Sequence, residues 1–452
     1  MYRLKQLTIL AGDLLGLYIG LYLAVTARYL SIPKAEIIGS LLAPFTWLFF
    51  SAVIIIFILG LYDLGRAKNQ WGFFQKIITS AILWVVIGVF YFYIYGQDKI
   101  NPKTILLLLA VFGFSLIALW RFVYNRFIVA NILKTKIAFI GCSKEARLII
   151  ETLQNKPQIG YEVVGIIGDC YENPKLQNLT IKNLSGLKKN PDIIVLDFNY
   201  QKDEQLIKEL YQNIFRQIGI IELADFYETI YHRLPPFTFS EGWFLTKFQE
   251  QSKKIYDRFS LLINCLSAVL IGIFFIIILP LVALAIKTTS NGPVLFKQAR
   301  VGRGGKTFFI YKFRTMRALS ADGSAEVNGA QYAASNDRRI TKVGKFLRAS
   351  RLDEIPQFIN ILKNEMSLIG PRPERPEFVE QLNKLMPFYS LRHLIKPGLT
   401  GWAQLQRGYY GTLDENLNKL EYDLYYIKNR GPLLDITIIL KTISIVLGMI
   451  GR

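Results

Sequence analysis

The chain has few residues of the kinds that build disulfide scaffolds and zinc sites. Among 452 residues there are three cysteines and two histidines. The cysteines, Cys142, Cys170 and Cys265, show no Cys-x-x-Cys spacing, which argues against a structural zinc site and a fold held by disulfides. His232 and His393 are too few for a histidine-rich metal centre, so packing or hydrogen bonding is the simpler role for each.

Acidic residues are scarce relative to basic ones. Lys and Arg number 54 and Asp and Glu 34, which gives a formal net charge of +20. The stretch from Lys297 to Arg317 contains seven basic residues and no acidic one. This balance predicts a phosphate-bearing ligand, an anionic membrane surface, or both.

Long uncharged runs account for a hydrophobic fraction of 52%. Four of them, roughly 7–30, 37–62, 77–97 and 104–120, reach the ~20 residues that a membrane helix needs. Asp13 interrupts the first run. Basic residues concentrate at the N-terminus, in the 63–76 loop and after Trp120, so the positive-inside rule places both ends of this four-helix unit in the cytoplasm.

Residues 136–230 alternate apolar strands with amphipathic helices. The strands are KIAFIGC, EVVGIIGD, DIIVLDF and IGIIELADF, and the helices are KEARLIIETLQN and DEQLIKELYQNIF. This pattern predicts a Rossmann-like domain with a parallel sheet. Only Gly141 of a G-x-G-x-x-G turn is present, which favours a structural or regulatory module over a dinucleotide site.

A fifth apolar run, Phe259–Ile286, carries no charge. Its length fits a membrane-spanning helix, which would place everything after it outside the cell. Pro280 permits another course, because proline removes a helix hydrogen bond and clashes with the preceding turn. A helix broken there could enter one leaflet and return to the same side, provided that the freed backbone groups are covered.

The segment RLDEIPQFINILKNE contains two adjacent carboxylates, Asp353 and Glu354. Apolar residues recur at helical spacing from Ile355 to Leu362, and Pro356 is tolerated only in a first turn. The pattern therefore predicts an amphipathic helix with Asp353 as its N-cap, where the helix dipole would keep it ionised and favour phosphate nearby. The alternative is an ordinary cap followed by an incidental Glu.

Arginines flank this pair on both sides. Arg348 and Arg351 precede it and can hold phosphate oxygens through charge-assisted hydrogen bonds. The later segment IGPRPERPEF places Arg372 and Arg375 in a proline-stiffened loop. Preorganised arginines suit a transferring phosphoryl group, and solvated charges on a surface loop are the alternative.

Two further motifs have the residue types of a nucleotide site. In YKFRTM, Lys312 and Arg314 share one face of a predicted strand and can grip a diphosphate. In KPGLTGWAQ, Trp402 can stack on a base. An exposed cationic edge and a buried core tryptophan are the alternatives.

Taken in order, these motifs carry a family resemblance. The span 253–452 closely resembles the catalytic domain of bacterial monotopic phosphoglycosyl transferases in the blocks GPVLFKQARVG, YKFRTM, RASRLDEIPQ, MSLIGPRPERPEF, KPGLTGWAQ and YDLYYIKN. The front part resembles the long form of the family. The resemblance implies a membrane protein of mixed α and α/β class. Its parts would be a four-helix transmembrane domain (1–130), a Rossmann-like, CoA-binding-like domain (136–230), a linker (231–252) and a mainly helical monotopic catalytic domain (253–452).

The resemblance also implies a reaction. Family members move a sugar-1-phosphate from a UDP-sugar to undecaprenyl phosphate and release UMP, which initiates exopolysaccharide, O-antigen or capsule assembly. It implies Asp353 as the nucleophile of a phosphosugar-enzyme intermediate, Mg²⁺ held near Asp353 and Glu354, and a re-entrant helix over about 257–287 broken at Pro280. Substrate-binding roles are expected for Lys312, Arg314, Arg348, Gln357, Arg372, Arg375 and Trp402.

The implied setting is the bacterial inner membrane with a cytoplasmic catalytic domain, since UDP-sugars are cytosolic. The expected partners are the UDP-sugar, undecaprenyl phosphate and the bilayer, with no nucleic acid; a homodimer stays open. Leu279 stands where many members have Ser, and LQRGYYGT replaces the commoner loop after GWAQ. Two alternatives are a membrane-anchored nucleotide-sugar dehydratase or epimerase, for which Tyr171–Lys175 has the Tyr-x-x-x-Lys spacing but Pro174 makes a poor helix, and a non-catalytic scaffold.

Overall fold

The computed structural model describes residues 2–64, 70–95, 103–126, 134–168, 179–181, 189–197, 211, 218–236, 241–248, 253–318, 337, 339–406 and 412–447. The chain divides into two compact units, Met1–Ile230 and Tyr231–Arg452, and each is described by itself.

In the described part of the first unit, the chain begins with long apolar helices. They are α1 (Tyr2–Tyr29), α2 (Ala35–Ile58), α3 (Trp71–Tyr95) and α4 (Lys103–Val123). Each is long and apolar enough to cross a membrane. Helices α1 and α4 approach closely at two glycines, because a Cβ on Gly20 would lie 2.6 Å from the Cα of Gly113.

A buried ion pair explains the acidic residue in α1. Both carboxylate oxygens of Asp13 accept from Arg121, at 3.0 and 2.5 Å, and Arg121 also donates to the carbonyl of Leu61. Asp13 and Arg121 are 0% and 2% exposed. An unpaired charge at such a position would be costly, so the two residues are placed in α1 and α4 as a matched pair.

A parallel sheet follows these helices, as the alternating pattern predicted. Its described strands are β1 (Thr135–Ile140), β2 (Tyr161–Ile167), β3 (Thr180–Ile181), β4 (Ile193–Leu196) and β5 (Gly219–Glu222), in the order β3-β2-β1-β4-β5. Helices α5 (Lys144–Asn155) and α6 (Leu223–Tyr231) flank it in sequence. The predicted helix DEQLIKELYQNIF lies outside the described residues except for Tyr211.

The side chain of Asp197 fills the space beside the turn that follows β1. Gly141 has φ +103°, and a Cβ there would lie 2.3 Å from the Cβ of Asp197. The Asp197 carboxylate accepts from the backbone N–H of Ser143 at 2.9 Å. Cys142, in the same turn, is disulfide-bonded. These contacts are consistent with a structural role for the turn.

The second unit is built from short elements around one long helix. Its described helices are α7 (Glu241–Lys247), α8 (Lys254–Thr289), α9 (Lys342–Ala349), α10 (Phe358–Leu362), α11 (Pro376–Leu385), α12 (Leu413–Asn429) and α13 (Pro432–Leu447). Strands β6 (Leu295–Val301) and β7 (Thr307–Phe313) form an antiparallel hairpin, while β8 (Ser367–Ile369) and β9 (Gly398–Thr400) pair in parallel.

The stretch 231–252, expected to be a linker, contributes to the core of this unit. Leu234 is fully buried and its backbone N–H donates to the carbonyl of Glu421 at 3.0 Å. Phe244, on α7, is 5% exposed and packs against Phe388 with ring centroids 4.4 Å apart.

Pro280 lies inside α8, which is α-helical without interruption from Lys254 to Thr289. The predicted break at Pro280 is therefore not seen. Proline removes one hydrogen bond, and a helix whose flanking turns are packed can accommodate that loss by bending instead of breaking. Phe275 stacks on Phe313 with centroids 5.5 Å apart, and a Cβ on Gly272 would lie 2.9 Å from the ring of Phe358.

The opposite face of α8 is apolar and exposed. It presents Ile255, Phe259, Leu262, Leu266, Leu270, Ile273, Ile277, Leu281 and Leu284. An exposed apolar face of this length on a helix indicates contact with another molecule or with a membrane.

Candidate active site

The two adjacent carboxylates lie in a 3₁₀ turn and not in the predicted α-helix. The turn spans Leu352–Gln357, its N-cap is Arg351 with φ +60°, and α10 follows as a short helix. The left-handed backbone of Arg351 directly precedes Leu352, so the turn begins one residue before Asp353. Asp353 is thus inside the turn, and the prediction that it caps an amphipathic helix is wrong.

Glu354 is held by three cations. Its Oε1 is 2.7 Å from Nη2 of Arg372 and 3.0 Å from Nζ of Lys312, and its Oε2 is 3.9 Å from Nη1 of Arg351. Burial alone would raise the pKa of Glu354, but the charges of Arg372 and Lys312 hold it well below its usual range. Glu354 is therefore the more acidic member of the pair.

Asp353 has the opposite environment. It is 7% exposed, and its Oδ1 is buried without a hydrogen-bond partner in the described part of the chain. Burial, reinforced by the charge of Glu354, raises the pKa of Asp353 to about 6, although Lys312 and Arg348 oppose the shift. The prediction that a helix terminus keeps Asp353 ionised thus differs from the structure, because Asp353 lies inside the 3₁₀ turn and its buried Oδ1 has no donor among the described residues.

Arg348 reaches the dyad from α9. Its Nε donates to Oγ1 of Thr315 at 2.9 Å, and its charge lowers the pKa of Asp353. Helix α9 packs against the backbone of Thr315, two residues after the end of β7, at Gly344. A Cβ at Gly344 would lie 1.9 Å from the carbonyl oxygen of Thr315, so only glycine fits there. Arg348 is therefore fixed beside the dyad by a hydrogen bond and by a glycine contact.

Buried charges hold the backbone of the proline-stiffened loop. Arg392 donates from Nη2 to the carbonyl of Arg372 at 2.9 Å and to Asp423 at 2.8 Å. Arg300 donates to the carbonyl of Pro373 at 3.1 Å. Sequence reasoning gave no role to Arg392, Asp423 or Arg300, because their contacts with the loop join segments that are distant in the sequence.

Glu374, in the same loop, is anchored by a buried ion pair with Lys419. Burial would raise the pKa of Glu374, but Lys419 and nearby arginines lower it to about 2. The loop that carries Arg372 is thus tied to α12 through a charge as well as through its backbone.

Arg314 does not join Lys312 at the dyad. Strand β7 ends at Phe313, and Arg314 donates to the carbonyls of Ser290 and Asn291 at 2.7 and 2.8 Å. It is 3% exposed. Arg314 therefore holds the end of α8 in place, which the strand-face interpretation did not anticipate.

Arg375 and Trp402 make contacts outside the Glu354 cluster, whereas Gln357 lies in the same turn as the dyad. The Arg375 guanidinium pairs with Glu377 at 3.4 Å. Trp402 is 6% exposed and donates from its indole to the carbonyl of His232 at 2.9 Å. This is the core role that the sequence left open for Trp402. Gln357 is 3% exposed at the end of the 3₁₀ turn, next to the dyad in sequence.

The arrangement places one unpaired carboxylate next to a second that four cations surround or approach. Such a site suits attack on an anionic phosphoryl group, because the cations offset the repulsion between the attacking carboxylate and the phosphoryl group.

Residues 255–449 match the family described as "Bacterial sugar transferase". A Klebsiella pneumoniae protein named "UDP-glucose:undecaprenyl-phosphate glucose-1-phosphate transferase" is 34% identical over 326 residues, 69% of this chain and 67% of that protein.

The chain belongs to the bacterial sugar transferase family. The predicted relationship to phosphoglycosyl transferases is thereby confirmed. An Aeromonas hydrophila protein named "UDP-N-acetylgalactosamine-undecaprenyl-phosphate N-acetylgalactosaminephosphotransferase" is 50% identical over 169 residues, which are 37% of this chain and 39% of that protein. A Rhizobium leguminosarum "Exopolysaccharide production protein PSS" is 39% identical over 197 residues, 42% of this chain and 92% of that protein.

The match argues against the dehydratase or epimerase alternative. Its candidate pair, Tyr171 and Lys175, lies outside the described residues. The loop LQRGYYGT is described only at Leu405, Gln406 and Thr412. No contact to a nucleotide is assigned to it.

Magnesium, which the resemblance implies for this sugar transferase, fits the dyad. Among the described residues, no cluster of three or more His, Cys, Asp or Glu side chains is present. Mg²⁺ is commonly held by one or two carboxylates together with substrate phosphates, so a larger cluster is not required. The unpaired Oδ1 of Asp353 is an oxygen that is available to coordinate a cation. Glu354, already bonded to Lys312 and Arg372, can complete the set.

Proposed function

We propose that this member of the sugar transferase family moves a sugar-1-phosphate from a UDP-sugar to undecaprenyl phosphate and releases UMP. A carboxylate oxygen of Asp353 attacks the phosphorus bonded to the sugar. The bond from that phosphorus to UMP breaks, and UMP leaves with the electron pair. An oxygen of undecaprenyl phosphate then attacks the same phosphorus, the bond to Asp353 breaks, and undecaprenyl diphosphosugar forms. This product would initiate exopolysaccharide, O-antigen or capsule assembly.

The unpaired, buried Asp353 carboxylate carries this proposal. A carboxylate that served only the fold would be bonded to a donor, as Glu354 is to Lys312 and Arg372. Glu354 keeps those two cations oriented toward the dyad, and Arg348 approaches from the other side. When bound, Mg²⁺ would neutralise charge on the diphosphate and on the dyad. Preorganised cations of this kind typically contribute about 10²–10³ in rate each.

The test is a search for the covalent intermediate. The protein is mixed with a UDP-sugar and Mg²⁺ without lipid acceptor, and the mass of the protein and the release of UMP are followed. We expect a burst of UMP and a sugar-phosphate adduct on Asp353. Asp353→Asn keeps the side-chain shape and should abolish both signals.

Glu354→Gln is the matched control at the neighbouring position. It should lower the rate severely, because Lys312 and Arg372 lose their partner, but it keeps the carboxylate that accepts the phosphosugar. An adduct on Glu354, or an adduct that persists in Asp353→Asn, would disprove the assignment of the nucleophile. Undiminished UMP release by both variants would mean that the dyad is not the catalytic site, and absence of UMP release by the unmodified protein would favour the scaffold hypothesis.

The sugar is open to direct assay. The relatives named above differ in the printed sugar, N-acetylgalactosamine in one and glucose in another. A panel of UDP-sugars in the UMP-release assay would identify the donor, and chelation of divalent cations followed by addition of Mg²⁺ would test the metal.

We further propose that the catalytic unit faces the cytoplasm of a bacterial inner membrane and that α8 inserts without crossing it. The support comes from contacts at both ends of the helix. Asp257, near its start, pairs with Arg430, and Ser290, just after its end, accepts from Arg314. A helix that spanned the bilayer would leave these partners on opposite sides.

Labelling of a single cysteine placed at Ser290, compared with one at Lys254, tests this topology in intact cells. We expect both positions to react only after the inner membrane is permeabilised. Reaction of one position from the outside would mean that α8 spans the membrane.

A further inference from the structure

The second unit contains a cavity of about 340 Å³ against the first turns of α8. Lys254, Asp257, Leu261 and Asn264 from that helix line one wall. These positions are three or four residues apart, so they share one helix face. None of the residues that line the cavity belongs to the Asp353–Glu354 cluster.

The cavity has an excess of positive charge. Lys254, Arg303, Lys396 and Arg430 line it, and Asp257 is the one carboxylate among its lining residues. Asp257 is paired with Arg430. The side chains of Lys254 and Arg303 have no ion-pair or hydrogen-bond partner among the residues that the structure describes, and Lys396 donates to the neutral amide of Asn364. Burial, together with the charge of Arg303, lowers the pKa of Lys396. Four cations therefore line the cavity with a single carboxylate, which is already paired with Arg430.

Asn264 adds a buried donor to this wall. Its Oδ1 accepts from the backbone N–H of Leu368 at 2.9 Å and from the hydroxyl of Ser367 at 3.3 Å. The backbone donor fixes which end of the amide is oxygen, so the two N–H groups of Nδ2 are left for the cavity. Asn264 is 8% exposed and lines the cavity, so its Nδ2 is a donor that a ligand can use.

The rim of the cavity is apolar. Leu261 on α8 and Leu394 line it and are 48% and 41% exposed. The neighbouring side chains Phe259 and Leu262 are 63% and 58% exposed on the same helix. A ligand with its anionic end among the cations would thus have apolar surface beside it.

From this geometry we infer a binding site for a phosphate group that is esterified to a membrane-embedded hydrocarbon chain. The phosphate lies between Lys254, Arg303 and Lys396 and accepts from Asn264. The hydrocarbon chain leaves past Leu261 along the exposed face of α8. The site does not depend on which reaction the dyad performs.

Two lipids have this chemistry, an anionic phospholipid and undecaprenyl monophosphate. The cavity, at about 340 Å³, is at the small end of the roughly 300–1,000 Å³ range of sites that enclose drug-sized ligands. Its size therefore fits a single headgroup and not the hydrocarbon chain as well. A lone anion would use the cations but not the apolar rim. The lipid sources and the free anion can therefore be separated by experiment.

The full-length protein in mild detergent is examined by native mass spectrometry with phosphatidylglycerol, undecaprenyl monophosphate or phosphatidylcholine. We expect one phosphatidylglycerol or undecaprenyl phosphate to be retained per chain and phosphatidylcholine to be retained more weakly. Lys254→Gln and Arg303→Gln should each weaken retention about fivefold, the effect of about one basic residue at a membrane surface.

Lys306→Gln is the matched control, because Lys306 is exposed in the same hairpin turn as Arg303 but does not line the cavity. It should change retention less than twofold. Which of the two lipids is retained identifies the source of the phosphate. Lys254 and Arg303 are exposed residues on different elements, so a folding defect in one variant leaves the other to carry the test.

Three results would overturn the inference. Equal loss in Lys306→Gln and Arg303→Gln would mean diffuse surface attraction. Unchanged retention in the Lys254→Gln/Arg303→Gln double variant would mean that the cations do not bind the headgroup. Displacement of the lipid by millimolar inorganic phosphate, or retention of neither anionic lipid, would mean that the cavity does not recognise a lipid phosphate.

Discussion

The two arginines of the proline-stiffened loop provide a sharp test of the site, because the sequence treats them alike and the structure does not. Arg372 lies 2.7 Å from Oε1 of Glu354, whereas Arg375 pairs with Glu377 at 3.4 Å. We predict that Arg372→Gln impairs catalysis much more than Arg375→Gln.

The expected loss of kcat/KM in Arg372→Gln depends on the cations that still contact Glu354. Unit charges 4 Å apart interact by about 4 kcal/mol at an effective dielectric constant of 20. Lys312 at 3.0 Å would still hold Glu354, and Arg372 is 32% exposed, so solvent screens part of the loss. We expect Arg372→Gln to lower kcat/KM about 10²–10³-fold, or ~2.7–4 kcal/mol, the loss typical of one preorganised donor.

The assay is UMP release at saturating and limiting UDP-sugar, with the unfolding midpoint as a control for folding. Arg375→Gln should lower kcat/KM less than tenfold, although it can lower the midpoint because Arg375 is 9% exposed and contacts Phe378. Equal losses of kcat/KM in the two variants, with both proteins folded, would refute the assignment of Arg372 to the dyad. A near-normal Arg372→Gln would do the same.

Two further predictions concern the rest of the chain. A protein that begins at Tyr231 should retain UMP release in detergent. A protein that begins at Gln249 should be less stable than that one, because it lacks the buried Leu234 and Phe244. Equal unfolding midpoints of the two proteins would contradict the predicted difference in stability. Asp13→Asn should destabilise the first unit by about 3–5 kcal/mol, the usual cost of breaking a buried ion pair. Replacing Arg121 by Met in the same protein should recover much of that stability. Thermal unfolding in detergent measures both variants, and a loss below about 1 kcal/mol in Asp13→Asn would show that the ion pair does not hold α1 to α4.

The sequence predicted the elements whose periodicity is long. The parallel sheet of the first unit follows from apolar strands that alternate with amphipathic helices. Strands β4 and β5 fall within the quoted segments, and β1 and β2 each begin one residue before theirs. The uncharged runs likewise coincide with long apolar helices. Long patterns are reliable because many residues contribute to the same preference.

The sequence was less informative where a single residue decides the geometry. The pattern from Ile355 to Leu362 resembles one helix face, yet Leu362 is 50% exposed, and the chain turns first through a 3₁₀ segment after Arg351 adopts φ +60°. Positive φ at a non-glycine residue depends on tertiary contacts and has no local signal. The predicted cap at Asp353 was lost for the same reason.

Pairing between distant segments was also beyond reach. Lys312 and Arg314 are two residues apart, but one contacts Glu354 and the other the end of α8. A strand-face argument assumes that the strand continues, and β7 stops between them at Phe313. Asp13 looked like a flaw in a membrane helix until its partner Arg121, 108 residues later, was placed beside it.

The 3₁₀ turn explains how two neighbouring carboxylates come to have different chemistry. With about three residues per turn, consecutive side chains point about 120° apart. Glu354 therefore meets Lys312 and Arg372, while Asp353 keeps a buried oxygen that has no donor among the described residues. Two buried carboxylates cannot both ionise at low cost without nearby positive charge. Glu354 already forms ion pairs with Lys312 and Arg372. Any further positive charge that enters the site with a substrate therefore acts mainly on Asp353. The turn thus keeps one carboxylate as a fixed anchor for cations and leaves the other available to form a bond.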